Sequence, residues 1–379
     1  MTGQATEVRG RLVLEERVAA GRILVEGDRI VAVDLGGGDG GSALPLVAPG
    51  FVDVHVHGWG GHDAMGTTAD LDGMARALLR HGVTSFLPTG LTSPLATLRA
   101  FAERVRAWIP DAPADGAEPL GFNIEGPFIA PTRKGAHNPA FLATPTDVPW
   151  TEIEPLVDGL RVMTVAPELP GALELIGRLH RSDVRVSLGH SAANLIAAVA
   201  GYDAGASTTT HLFNAMTGLD HRAPGLAAAA LGRDDAYVEL IADGQHVDLA
   251  LWPIVLRTKP ADRLILASDA LALAGTGDGR LTIGGLEVDV RGARCTLADG
   301  SGTLAGSVIA LDTAVRNLVR HGASLPAAVA AAGRNPLAML GRTDRGRIAA
   351  GQRADLVQLG DDLAVRRVMR GGIWQAPFA

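Results

Sequence analysis

The sequence predicts an α/β fold: a (β/α)8, TIM-like barrel carrying a small β-sandwich domain formed by both chain ends. Three observations carry this expectation. Apolar, β-rich runs alternate with longer helical runs eight times over about 290 residues, the rhythm of a closed parallel barrel. Both ends of the chain read instead as strands and turns, each too short to fold alone. No strand leads into a G-x-G-x-x-G or a P-loop, which weighs against the alternative, a doubly wound open sheet.

The elements follow in chain order. Residues 8–34, "VRGRLVLEERVAAGRILVEGDRIVAVD", are short strands with turns at Gly21 and Gly27-Asp28, and "DLGGGDGGSALPLVAPG" is a glycine-rich joint. Barrel strands are expected at 51–57, 83–88, 120–124, 161–165, 184–188, 206–210, 237–241 and 263–268. Helical runs such as "ADLDGMARALLRHG" separate them. That one closes on His81 and Gly82, a cation in the last turn followed by a C′ glycine. The final stretch, "GRIAAGQRADLVQLGDDLAVRRVMRGGIWQ", is again strands and turns. The expected division is 1–48 with 347–379 for the small β domain and 49–346 for the barrel.

Composition narrows the function classes. The chain has 379 residues, 47% of them hydrophobic, enough for a large core. A net charge of −7 gives no electrostatic reason to bind nucleic acid. Of 34 basic residues only Lys134 and Lys259 are lysine. The single cysteine, Cys295, permits neither an internal disulfide nor a cysteine metal cluster and suits a reducing cytosol. The N-terminus lacks an apolar leader, and no run approaches the roughly 18 apolar residues of a membrane span. The expectation is a soluble cytoplasmic protein with a small-molecule partner, not nucleic acid or membrane.

Polar residues fall where such a barrel concentrates chemistry. In "FVDVHVHGWGGHD", strand alternation would put His55, His57 and Asp53 on one face. Glu125 follows strand 3 in "NIEGPF", His190 strand 5 in "SLGHS", His211 strand 6 in "TTTHLFNAM", and Asp269 strand 8 in "LASDAL". Singly, each has a structural reading: a wet edge strand for the histidine pair, a turn residue at Glu125, a helix-end imidazole at His190, a core histidine at His211, an N-cap at Asp269. Jointly these readings fail. Several unpaired polar groups at buried strand ends would each cost about 1–3 kcal/mol. A cation satisfies most of them together, and imidazole plus carboxylate suits Zn²⁺ first, with Fe²⁺, Mn²⁺ and Co²⁺ compatible. An ion on Glu125, His190 and His211 keeps a position open for water and acidifies it, while Asp269 can accept and return a proton. That is hydrolysis of an amide-like bond. His137 in "KGAHN" and His246 in "ADGQHV" are spare loop histidines, either of which could polarise a carbonyl or meet an anion. His81, His180 and His321 sit near helix ends, and His62 and His221 in loops without an evident partner.

At these residues the sequence resembles the amidohydrolase superfamily, and within it the N-acetylglucosamine-6-phosphate deacetylases. The matching motifs are "PGFVDVHVHGWGGHD", "IEGPFIAPTRKGAHN", "LGHSAA", "THLFNAMTGLDHRAPG", "IADGQHVD", "ASDAL" and "GTLAGS". The H-x-H is shared by many metal hydrolases, whereas "EGPF…KGAH" followed by "THLFNAM" is specific. The resemblance implies removal of acetate from N-acetyl-D-glucosamine 6-phosphate. It implies Glu125, His190 and His211 as ligands of the main metal, Asp269 as general base and acid, and His137 as the group polarising the acetyl carbonyl. Arg222 and His246 would bind the phosphate, with Arg222 reaching in from a partner subunit of a homodimer. Ala136, Asn214, Ala215 and Leu304-Ala305-Gly306 would contact sugar and phosphate, largely through backbone. His55 and His57, which some members lack, would add a second metal bridged by Glu125, so one or two ions per subunit are expected. Other acetylated amino-sugar phosphates are alternative substrates. A cyclic-amide hydrolase would need a carboxylated lysine after strand 4, where this chain has "VAPELPG". Adenosine-type deaminases lack the glutamate ligand after strand 3. A metal-free binding protein would not need the intact set.

Overall fold

A computed structural model of the chain describes residues 5–36 and 44–376. Residues 1–4, 37–43 and 377–379, on which parts of the expected end domain and joint fall, lie outside the described residues. Eight parallel strands run in sequential order: Phe51–Val56, Val83–Leu91, Phe122–Glu125, Leu160–Val165, Arg185–Leu188, Ala206–Thr209, Tyr237–Leu240 and Leu264–Leu266. They are called barrel strands 1 to 8 below. Most of their residues are buried on both faces, enclosed by a ring of helices, so most of the strands read as apolar runs, strand 6 (Ala206–Thr209) being the polar exception. The first helix, Thr68–Leu79, starts on a capping box in which Thr67 and Asp70 satisfy each other's backbone N–H groups. It buries Leu71, Met74, Ala75 and Leu78, with about 1.5–3 kcal/mol per large side chain removed from water.

The barrel closes by backbone hydrogen bonds between the ends of strands 1 and 8. Asp269 N–H donates to His55 O (2.8 Å), and His57 N–H to Ala270 O (2.9 Å). One expectation is corrected here. Pairing of strand 1 with strand 2 slips between Asp53 and Val56, a bulge that breaks strict alternation. The Asp53 carboxylate accepts the N–H groups of His55 (3.2 Å) and Ser268 (3.4 Å) instead of joining the histidine rings.

Both chain ends supply a seven-stranded sheet, ordered Ile373–Trp374, Val365–Arg370, Leu356–Leu359, Leu46–Pro49, Thr6–Val13, Val18–Glu26, Arg29–Leu35. The edge strand Arg29–Leu35 folds back on the segment entering Leu356–Leu359, with Ile30 N–H on Gln352 O at 2.9 Å and Ala354 N–H on Asp28 O at 2.8 Å. Between the halves lies a separate core of Val8, Leu12, Ile23, Ile30, Val47, Leu356 and Met369. A feature absent from the sequence reading lies between barrel strand 8 and the next helix, an antiparallel insert of Gly279–Ile283, Leu286–Arg291 and Arg294–Leu297. Its Ile283, Val288, Val290, Cys295 and Leu297 pack with Leu91 and Leu271 at the barrel mouth.

Arg345 fastens the end sheet to the barrel. It is 5% exposed and donates to Ser85 Oγ of strand 2 (3.2 Å) and to Glu118 (3.0 Å), with the Asp355 carboxylate 3.5 Å away. Asp355 is itself buried and leads into Leu356–Leu359. Deleting one member of a buried charge network strands the others. Arg345→Ala is therefore expected to lower stability by about 3 kcal/mol, measured as a reduced denaturation midpoint with metal content held constant.

Candidate active site

The C-terminal ends of the barrel strands ring a cavity of about 480 Å³. On its floor, six buried side chains from strands 1, 3, 5, 6 and 8 and the loop after strand 3 converge, and a seventh, His55 of strand 1, faces the same carboxylates. Glu125, the last residue of strand 3, is the centre. Its Oε1 lies 3.0 Å from His190 Nε2, 2.9 Å from His211 Nε2 and 3.7 Å from His55 Nε2. Its Oε2 lies 3.2 Å from His57 Nε2 and 3.3 Å from His137 Nε2. Asp269 Oδ1 is 3.2 Å from His57 Nε2 and 3.6 Å from His55 Nε2. The site residues bend the backbone to get there. His190, His211, Ala215 and Asp269 have φ of 46°, 28°, 48° and 50°. That left-handed region is costly for non-glycine residues and concentrates at functional sites.

The opposite ring nitrogens fix the orientation. His190 Nδ1 donates to Arg133 O (2.9 Å), His57 Nδ1 to Thr89 O (3.1 Å), and His55 Nδ1 to Glu239 Oε2 (3.0 Å). The Nε2 atoms of these three rings are thereby aimed at the cluster, the tautomer that metal-binding imidazoles use. Glu239 was not found by sequence reasoning. Wholly buried on strand 7, its Oε2 also accepts the N–H of His211 at 3.2 Å. One carboxylate oxygen thus positions a ring from strand 1 and the chain at the end of strand 6. A lone acid in the apolar run "YVELI" is the only trace it leaves in the sequence.

Charge explains what the cluster can hold. Burial pushes the Glu125 carboxyl up, but the charges of His55, His137 and His190 outweigh it and hold it well below the usual range. Burial alone would depress His57, yet Asp269 and Glu125 carry it up to about 9. Two buried carboxylates therefore demand positive charge. Protons can supply it only by crowding N–H groups between His190 and His211, whose Nε2 atoms are 3.0 Å apart, and between His55 and His57, 3.3 Å apart. Divalent cations supply it with the donors already turned inward, so the donor set fits a metal. His55, His57, Glu125 and Asp269 form one ligand-capable group, and Glu125, His137 and His190 another.

The remaining expected residues divide. Ala136, Asn214, Ala215, His246 and Leu304-Ala305-Gly306 all line the cavity. Gly306 is there for a reason, since a Cβ at its φ of +61° would lie 2.7 Å from Asp269 O. His246 Nδ1 pairs with Asp243 Oδ2 at 2.7 Å; burial opposes its protonation but Asp243 raises it. Arg222 is exposed and outside its own chain's cavity. Ile283, Arg294 and Thr303, brought by and beside the insert, line the cavity without having been foreseen. Neither lysine reaches the cluster: Lys134 Nζ donates to Gly135 O (3.2 Å) and Lys259 Nζ to Ala230 O (3.0 Å).

A closed barrel with imidazoles and carboxylates at its C-terminal mouth is the architecture of a metal-dependent hydrolase. The sequence pattern of the amidohydrolase family matches residues 46–374, and the chain belongs to that family. It is 40% identical over 330 residues to the N-acetylgalactosamine-6-phosphate deacetylase of Escherichia coli, covering 85% of this chain and 86% of that one. It is 38% identical over 351 residues to the N-acetylglucosamine-6-phosphate deacetylase of Bos taurus, covering 88% and 85%. The structure of N-acetyl-D-glucosamine-6-phosphate deacetylase from Mycobacterium smegmatis, a variant in complex with N-acetyl-D-glucosamine 6-phosphate, superposes with a TM-score of 0.91 at 34% identity over 99% of this chain and 100% of that one. The Thermotoga maritima N-acetylglucosamine-6-phosphate deacetylase gives a TM-score of 0.91 at 32% identity over 98% and 100%. No helix among the described residues is long and apolar enough to cross a membrane.

Glu239 tunes the cluster through its hydrogen bonds. Glu239→Gln keeps the shape and removes the charge that orients His55. Metal affinity is expected to fall about 10–100-fold, read by competition against a chromophoric chelator, with an unchanged circular dichroism spectrum.

Proposed function

We propose that the protein removes acetate from N-acetyl-D-glucosamine 6-phosphate, releasing D-glucosamine 6-phosphate. One observation carries this reading: Glu125, the imidazoles around it and Asp269 meet at the floor of a sugar-sized cavity, in a chain closely similar to amino-sugar phosphate deacetylases. The galactosamine epimer is the second reading, favoured by the 40% identity to the Escherichia coli enzyme.

Glu125, His190 and His211 would hold the main cation, and His55 and His57, together with Glu125, would hold a second one. Zn²⁺ is the ion best matched to three imidazole or carboxylate donors with one place left open. Such an ion would supply Lewis acidity that lowers the pKa of water to about 7. Asp269 accepts the proton of the attacking water as its oxygen bonds the acetyl carbon. As the C–N bond breaks, Asp269 returns that proton to the nitrogen, giving acetate and the free amine. His137, 3.3 Å from Glu125, is the ring near enough to the reacting carbonyl to orient it. His246, held by Asp243 on another wall, is left for the phosphate. Ala136, Asn214, Ala215 and the Leu304–Gly306 backbone would hold the sugar. Arg222 lies on an exposed loop beside Leu219, which is 50% exposed, so we assign it to the phosphate of a partner subunit in a homodimer. We further assign residues 1–48 and 347–379 to a small β domain, 49–346 to the hydrolase barrel, and the cytoplasm as the site of action.

The direct test is acetate release from the 6-phospho sugar. Chelation should abolish it and added Zn²⁺ restore it; release that survives thorough chelation overturns the metal-dependent reading. Asp269→Asn is expected to lower kcat by about 10²–10⁴-fold while leaving substrate affinity largely intact. Metal analysis after loading in excess should give two equivalents for the wild type and one for His55→Ala or His57→Ala. The same single equivalent in all three would remove the second position.

A further inference from the structure

We infer that Arg294, delivered by the antiparallel insert, is a specificity-determining residue that reads the 6-phosphate from within the same chain. The inference rests on the deacetylase reading and adds to it a cation that no motif marks. Arg294 and Arg133 are the two arginines lining the cavity. Arg133 is tied to the metal end, where its carbonyl accepts His190 Nδ1–H at 2.9 Å. Arg294 stands elsewhere. It begins the strand Arg294–Leu297, and the next residue, Cys295, accepts the N–H of Ala305 at 3.0 Å. The Thr296–Leu304 bridge continues that pairing, and Ser307 N–H donates to Asp269 O at 2.7 Å. A chain of backbone bonds thus holds Arg294 against the Leu304–Gly306 wall, and its charge is felt by His246.

Charge balance gives the position its meaning. Arg280 of the same insert is answered by Asp289 at 2.6 Å. Arg294 is exposed at the cavity and, among the described residues, forms no ion pair, so its guanidinium is open to a ligand's charge. The acetamide must sit at the buried floor with Glu125 and Asp269, which leaves the sugar's 6-phosphate for the solvent side of the cavity, where Arg294 is exposed. There a dianion meets a guanidinium fork whose geometry matches it. Ile283 from the same insert lines the cavity beside the sugar path, so phosphate binding would also hold the insert over the substrate.

The test compares the metal-loaded wild type with Arg294→Ala, Arg294→Lys and, as a control for disturbance of the insert, Arg280→Ala. Arg294→Ala should raise KM for N-acetylglucosamine 6-phosphate at least tenfold with kcat within about threefold, and leave kcat/KM for unphosphorylated N-acetylglucosamine unchanged. The inhibition constant of glucose 6-phosphate should rise in parallel, while that of glucose stays fixed. Arg294→Lys should recover part of the loss, and Arg280→Ala should behave as wild type. Equal losses on phosphorylated and free sugars, or an unchanged inhibition constant for glucose 6-phosphate, would overturn the assignment. A wild type that releases no acetate from either sugar would instead overturn the deacetylase reading on which it rests.

Discussion

The demand of two buried carboxylates for positive charge organises the mouth of this barrel. Glu125 and Asp269 are removed from water by strands that have no polar reason to be there except to hold them. An isolated buried carboxylate is expensive, and a protein interior neutralises it or pairs it. Here the pairing is done by imidazoles from three different strands and a loop, and three of them, His55, His57 and His190, are pinned from behind. Glu239, Thr89 O and Arg133 O take the outward nitrogens, so the inward ones have a single direction. The left-handed backbone at His190, His211 and Asp269 is tolerated because that ring of interactions over-determines it. A metal fits this frame as the most compact source of the missing charge.

How much of this was legible in the sequence depended on whether a residue acts at a strand end or across the fold. Glu125, His190, His211 and Asp269 each follow a recognisable β-rich run, and the topology of a barrel brings strand ends together without any local motif. The bulge in strand 1 was not legible. It decouples Asp53 from the histidine rings, and period-2 reasoning cannot see an inserted residue. Glu239 escaped because its partners, His55 and His211, lie 184 and 28 residues away. The insert did leave a signal. "TIGGLEVDV" alternates around Gly284 and Gly285, whose φ values of 54° and 78° match the tight hairpin turn that paired glycines favour. Arg222 marks another boundary: it is exposed and outside its own chain's cavity, and its assignment came from the resemblance, not from the periodicity of the chain.

The insert changes what the barrel offers a substrate. The strand ends alone build a floor for chemistry, whereas the antiparallel strands add a wall with its own small core and an exposed arginine at the cavity. In the proposed reading, reaction and recognition are divided between the barrel strand ends and the insert. Loops grafted on a rigid sheet commonly take that second part; here the graft is itself a sheet, anchored by backbone pairing to the segment beside Asp269.

The seam between the first and last barrel strands has one further consequence. The bonds that join it run through the main chain of His55, His57 and Asp269, the residues to which we assign the second cation and the proton. Circularising the sheet and arming the catalyst are thus one structural event. A molecule unzipped only along that line would retain most of its architecture and none of its chemistry.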